Sequence, residues 1–155
     1  MNKKYQIRHP QNGMTLVEMM VAVAILGIVS SIGVSLYKDY TVGANVNRAV
    51  TEIRMIDLLI KDYRLTARQY PANLEAIGVD YKDPWGNDYQ YLDISTQNGN
   101  GALRKDHNLV PINTDFDLYS MGPDGASVSP LTAQSSQDDI IRANNGRYVG
   151  TAEGY

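Results

Sequence analysis

From Met19 to Leu36 the chain reads MMVAVAILGIVSSIGVSL, eighteen residues without a charge. At 1.5 Å per residue a helix over this run measures roughly 27 Å, close to the thickness of a hydrocarbon core. Serine and glycine dilute its end, so it is a short, moderate span. Ahead of it, residues 1–13 carry Lys3, Lys4 and Arg8 and no acid, while the remainder holds 11 basic against 17 acidic side chains, a net charge of -6. A short basic head before an apolar run stays on the cytoplasmic side of a membrane. An ordinary secretory signal is removed at a small-x-small site after its apolar region. Ala22, Ala24 and Gly27 mimic such a site. Glu18 argues against that reading, because a carboxylate at the cytoplasmic edge of a span is costly unless something compensates it.

Helical spacing continues beyond the span. Val46, Val50, Ile53, Ile56, Ile60 and Tyr63 recur every three or four residues, with Ala49 and Leu59 beside them and charges at most other positions. Met55 and Leu58 broaden this stripe enough to cover a sheet. The pattern predicts one helix from about Met14 to Leu65, roughly 78 Å long, with Gly27, Gly33 and Gly43 as points of bending. Its first half is apolar all round and needs lipid or copies of itself. Pro71 ends the next segment, and a helical turn is expected over Asn73–Ile77. Asp83-Pro84-Trp85-Gly86-Asn87 is a turn signature, with Trp85 packed beside it. Strands are expected over Tyr89–Ile94, Phe116–Met121 and Arg147–Val149, with Leu109–Ile112 as an edge segment. Residues 126–147 are polar and offer no convincing long element, and a loop of that length needs a ligand or packing partner to hold it. The fold class expected is α+β.

At 155 residues the chain has room for one compact domain plus a helical extension. It contains no cysteine, so disulfides and thiolate metal sites are excluded. The net charge of -3 gives no nucleic-acid footprint, and no glycine-rich phosphate loop with its lysine is present. Of the two histidines, His9 sits in the basic head and His107 stands alone in a polar loop. The usual nucleophile–base sets are therefore nearly ruled out, and a non-enzymatic role is expected.

Gly13-Met14-Thr15-Leu16-Val17-Glu18, after a basic leader and before the apolar run, resembles the processing site of type IV pilin-like proteins. The C-terminal domain, or head, adds Tyr70-Pro71, Leu74-Glu75-Ala76, the DPWGN turn with Tyr89-Gln90-Tyr91, the stretch Phe116-Asp117-Leu118-Tyr119-Ser120-Met121-Gly122-Pro123-Asp124-Gly125, and Asp139-Ile140. These resemble the major pseudopilin of the type II secretion system. The resemblance implies a leader over 1–13, a transmembrane and filament-core helix over 14–36, its amphipathic continuation over 37–65 and a periplasmic domain over 66–155. It implies cleavage between Gly13 and Met14 by a prepilin peptidase, which also N-methylates Met14. The subunit is then expected in the inner membrane with its head in the periplasm. From there it enters a homo-oligomeric helical filament with minor pseudopilins and an inner-membrane assembly platform.

Glu18 of one subunit is then expected to face the Met14 amine of a neighbour, so that neither charge stays unpaired. A related pilus subunit is the alternative within the family. A membrane-anchored monomeric domain is the alternative outside it. Four features depart from the pattern: Met14 stands where phenylalanine is usual, Ser35 where proline is common, the insertion Ser95–Val110 is long, and the loop Ser127–Gln137 lacks the expected glycine- and glutamate-rich character.

Hard calcium takes six to eight oxygens. Asp124 follows a Met-Gly-Pro turn, and Asp138 and Asp139 return after the polar loop, without the regular oxygen spacing of an EF-hand. The family resemblance implies a Ca2+ ion that pins this C-terminal loop. Carried over by position, its ligands are Asp124, Asp138 or Asp139, and the Met121 carbonyl.

Overall fold

The computed structural model describes residues 13–155, apart from the side chains at 35, 36, 38 and 39. The basic leader with Lys3, Lys4, Arg8 and His9 lies outside the described residues. The chain divides into two compact units, Met1–Tyr40 and Thr41–Tyr155.

One helix, α1 (Leu16–Ala67), contributes to both units. Its assignment runs unbroken through Gly27, Gly33 and Gly43, and its ends fall within two residues of those the spacing predicts. It ends at Arg68, whose φ of 62° is left-handed and whose N–H donates to the Arg64 carbonyl at 2.9 Å. Such a residue closes a helix by satisfying one of its last carbonyls. In the first unit, Leu16–Val34 is long and apolar enough to cross a membrane, and none of that span is buried among the described residues.

In the second unit the rest of α1 packs on a four-stranded antiparallel sheet. The strands are β1 (Gln90–Asp93), β2 (Phe116–Ser120), β3 (Ile140–Ala143) and β4 (Tyr148–Thr151), in the order β1-β2-β3-β4. Tyr91 lies opposite Leu118, Ser120 opposite Ile140, and Arg142 opposite Val149. Alternation along the strands then sorts the side chains onto two faces. Phe116, Leu118 and Ile140 face the helix and meet Ala49, Ile53, Ile56 and Ile60, all at most 1% exposed. Ile141 and Ala143 face the other way and pack with Ile112, Leu131 and Ala152 under the long loops. Trp85 packs at the edge of the first cluster, as its turn suggests.

The helical stripe is narrower than the sequence implies. Met55, Leu58 and Leu59 are 54%, 66% and 42% exposed. At about 100° per residue, positions 49, 53, 56 and 60 cluster on one line, and 55, 58 and 59 fall 80° or more away from it.

Two loop expectations are also corrected. Leu109–Ile112 does not join the sheet. Asp106 Oδ1 instead accepts the N–H groups of Asn108 and Val110 at 2.8 Å each, closing a turn, and only isolated bridges from Lys105 to Pro111 and Pro130 follow. Within the polar stretch 126–147, residues Ile140–Ala143 form a fully buried strand. Its Arg142 is hidden from any hydrophobicity pattern because it is buried as one partner of a charge network. Arg142 Nε donates to Asp57 Oδ1 at 2.5 Å, Nη2 to Asp115 Oδ2 at 2.6 Å, and Nη1 to the Phe116 carbonyl at 2.9 Å.

Candidate functional site

The N-terminal motif forms a capping box. Thr15 N–H donates to Glu18 Oε2 at 2.8 Å and its hydroxyl donates to the same oxygen at 2.9 Å, while Glu18 N–H returns to Thr15 Oγ1 at 3.3 Å. Such reciprocal bonds satisfy donors that the first helical turn leaves orphaned. Glu18 therefore starts its own helix in the isolated chain, a role written in the spacing Thr-x-x-Glu. Gly13 and Met14 precede the helix and are exposed, Met14 by 64%.

The two motifs of the head interlock. Asp83 Oδ1 accepts the N–H groups of Trp85 at 3.0 Å and Asn87 at 2.8 Å, which shapes the DPWGN turn. Asp83 Oδ2 accepts the Ser120 hydroxyl at 2.5 Å, and Ser120 Oγ accepts Gly122 N–H at 3.1 Å. Asn87 Nδ2 closes the join by donating to the Gly122 carbonyl at 2.9 Å. The turn before β1 and the turn after β2 are thus one polar unit.

That unit carries the acidic cluster. Gly122 has φ of 64°, and a Cβ there would stand 2.5 Å from the Asp138 carbonyl and 2.9 Å from Asp138 Oδ2. Asp138 Oδ2 also accepts Asp124 N–H at 3.3 Å. The Met121–Asp124 turn is therefore pressed against Asp138. Asp139 is fully buried, and its Oδ2 accepts Ser127 Oγ at 2.6 Å and pairs with the Arg104 guanidinium. Burial pushes the Asp139 carboxyl up to about 6, with Ser127 and Arg104 pulling it back down.

Three atoms in this neighbourhood are buried without a hydrogen-bond partner: Asp138 Oδ1, Asp139 Oδ1 and Arg104 Nε. Two orphaned carboxylate oxygens on adjacent residues fit a hard cation, which takes oxygen ligands. Asp124 is exposed, and its Oδ1 accepts Ala126 N–H at 2.8 Å. Among the described residues no three of His, Cys, Asp and Glu gather into one ligand group. Carbonyls such as that of Met121 would have to complete the set. Sequence reasoning missed Arg104 and Ser127 here. A lone arginine in a polar insertion gives no sign that the fold will bury it to 3% exposure.

An N-terminal helix long and apolar enough to cross a membrane, with a small α+β head, defines the class of a membrane-competent single-helix chain. Residues 8–34 match the prokaryotic N-terminal methylation motif. The type II secretion system core protein G of Pseudomonas aeruginosa is 30% identical over 140 residues, covering 76% of this chain and 87% of that protein. The Vibrio cholerae core protein G is 37% identical over 103 residues, covering 53% and 70%. A fimbrial protein of Neisseria meningitidis is 33% identical over 69 residues, covering 44% and 41%. No solved structure matches the chain. The chain belongs to the type II secretion and type IV pilin-like family, as a structural subunit of the filament-forming kind.

Proposed function

We propose that this chain polymerises into the pseudopilus of a type II secretion system and aids export of folded proteins across the outer membrane. The breadth of its likeness to core protein G carries the reading. A match over 76% of the chain must extend well into the head, whereas one over 44% is about the length of leader and helix together. In this reading residues 1–13 are a leader, 14–36 span the inner membrane, 37–65 continue the helix and 66–155 form the periplasmic domain. A prepilin peptidase cuts between Gly13 and Met14 and methylates the new amine. Minor pseudopilins and an inner-membrane assembly platform are its partners.

Glu18 supports the assembly step. Its carboxylate satisfies its own helix start through Thr15 and lies four residues from the amine that cleavage creates. A neighbour's Met14 amine gives that charge a counter-ion once lipid is left behind. In the head, Asp138 and Asp139 hold Ca2+, helped by Asp124 and the Met121 carbonyl. The ion supplies positive charge that ties the C-terminal loop to the turn after β2.

Deleting the gene tests the reading. Exported enzymes are expected to accumulate in the periplasm, and unimpaired export would refute it. A surface pilus is the second reading, favoured by the fimbrial relatives, and long extracellular fibres at native expression would select it.

A further inference from the structure

We propose that Arg104 is a tethered cation that shares Asp139 with the calcium site and sets how far the C-terminal loop depends on calcium. The proposal rests on the calcium reading above. Arg104 comes from the long excursion between β1 and β2 and is only 3% exposed. Five contacts fix it. Its backbone N–H donates to Asp117 Oδ2 at 2.7 Å, its guanidinium lies 4.3 Å from the centre of the Tyr119 ring, and its Nη1 donates to Ser127 Oγ at 2.6 Å. Nη1 also donates to the Val128 carbonyl, and Nη2 pairs with Asp139 Oδ2.

One head group thus grips both ends of the stretch 127–139 and anchors them to β2. That is the mechanical task the family resemblance gives to calcium. It is done here by a charge that cannot diffuse away.

The sharing follows from which oxygens are taken. Arg104 and Ser127 occupy Asp139 Oδ2, and Oδ1 of both Asp138 and Asp139 is left without a partner. Two adjacent carboxylates against one guanidinium leave net negative charge, so a cation is still attracted. It meets one oxygen fewer, and a fixed positive charge close by in a poorly solvated site. A plain buried salt bridge would stabilise the head equally with and without calcium. A shared carboxylate makes the two cations compete.

The test uses the full chain in detergent micelles, comparing wild type, Arg104→Gln and Arg104→Lys. Calcium affinity is read by calorimetry, and amide exchange over 127–139 is read with and without chelator. The expected result is that Arg104→Gln binds calcium on the order of tenfold or more tighter than wild type. In chelator its loop exchanges freely, whereas the wild-type loop stays protected. Arg104→Lys keeps the charge but loses the two-armed grip, and shifts affinity in the same direction by less. It carries the affinity test if Arg104→Gln does not fold in calcium.

Calcium binding by wild type that is no weaker than in both variants overturns the sharing while leaving the calcium reading intact. Binding by the variants but not by wild type supports the sharing and refutes calcium in the native chain. Binding by none refutes both.

Discussion

Gly122 is the position where a single atom does most harm. Its left-handed φ of 64° disfavours any side chain, and a Cβ would press to 2.5 Å from the Asp138 carbonyl, which is backbone and cannot swing away. Gly122→Ala is expected to cost about 2–4 kcal/mol, combining backbone strain with overpacking. Its urea midpoint should fall accordingly, and an unchanged midpoint would show that the two turns are not clamped.

Arg142 and Asp115 make the second residue-scale case. Burial pushes the Asp115 carboxyl up, but hydrogen bonds from Arg142 and from Phe116 N–H outweigh it and leave the group below its ordinary value. A carboxylate with a depressed folded value adds stability above its unfolded value of about 4 and loses it as pH falls through the folded one. Asp115→Asn should therefore weaken the protein at pH 7 and converge with wild type in strong acid. Urea midpoints taken across that range check the sign. Convergence at neutral pH instead would mean that the network contributes nothing.

At the scale of elements, α1 has two kinds of apolar residue that its sequence alone does not separate. Ile53 and Ile56 are fully buried against the sheet, and Leu58 is 66% exposed. Ile56→Ala is expected to destabilise the head by about 2–5 kcal/mol, whereas Leu58→Ala should shift its thermal midpoint little. Equal losses would place Leu58 in the core and overturn the packing described.

The helix was legible because its period persists over dozens of residues, and β1 and β2 because turn motifs bracket them. Strand β3 was not legible. Its burial depends on Arg142 finding Asp57 and Asp115, and partners that far away in sequence leave no local trace. The acidic cluster was half legible for the same reason. The doublet Asp138-Asp139 stands out in the sequence, but Arg104 reaches it from 35 residues away. Both failures concern buried cations, which pattern reading assigns to solvent by default.

At the scale of the whole molecule, the division of labour follows from where apolar surface is covered. The head buries its own core, and the span Leu16–Val34 has none of its residues buried among the described residues. Stability of the head and assembly through the span should therefore be separable by mutation. Glu18→Leu replaces a carboxylate that makes two bonds to Thr15 at the start of α1. The head's melting temperature is expected to stay within a degree or two, since surface changes remote from a core act weakly. On the proposed pairing of Glu18 with a neighbour's Met14 amine, filament recovery from cells is expected to collapse. Intact mass supplies the matching control, as mature protein should begin with methylated Met14 in both wild type and variant. Normal filaments from Glu18→Leu would remove the charge-pairing step. A mature chain starting beyond Gly27 would instead mean that the apolar span is discarded before any filament forms.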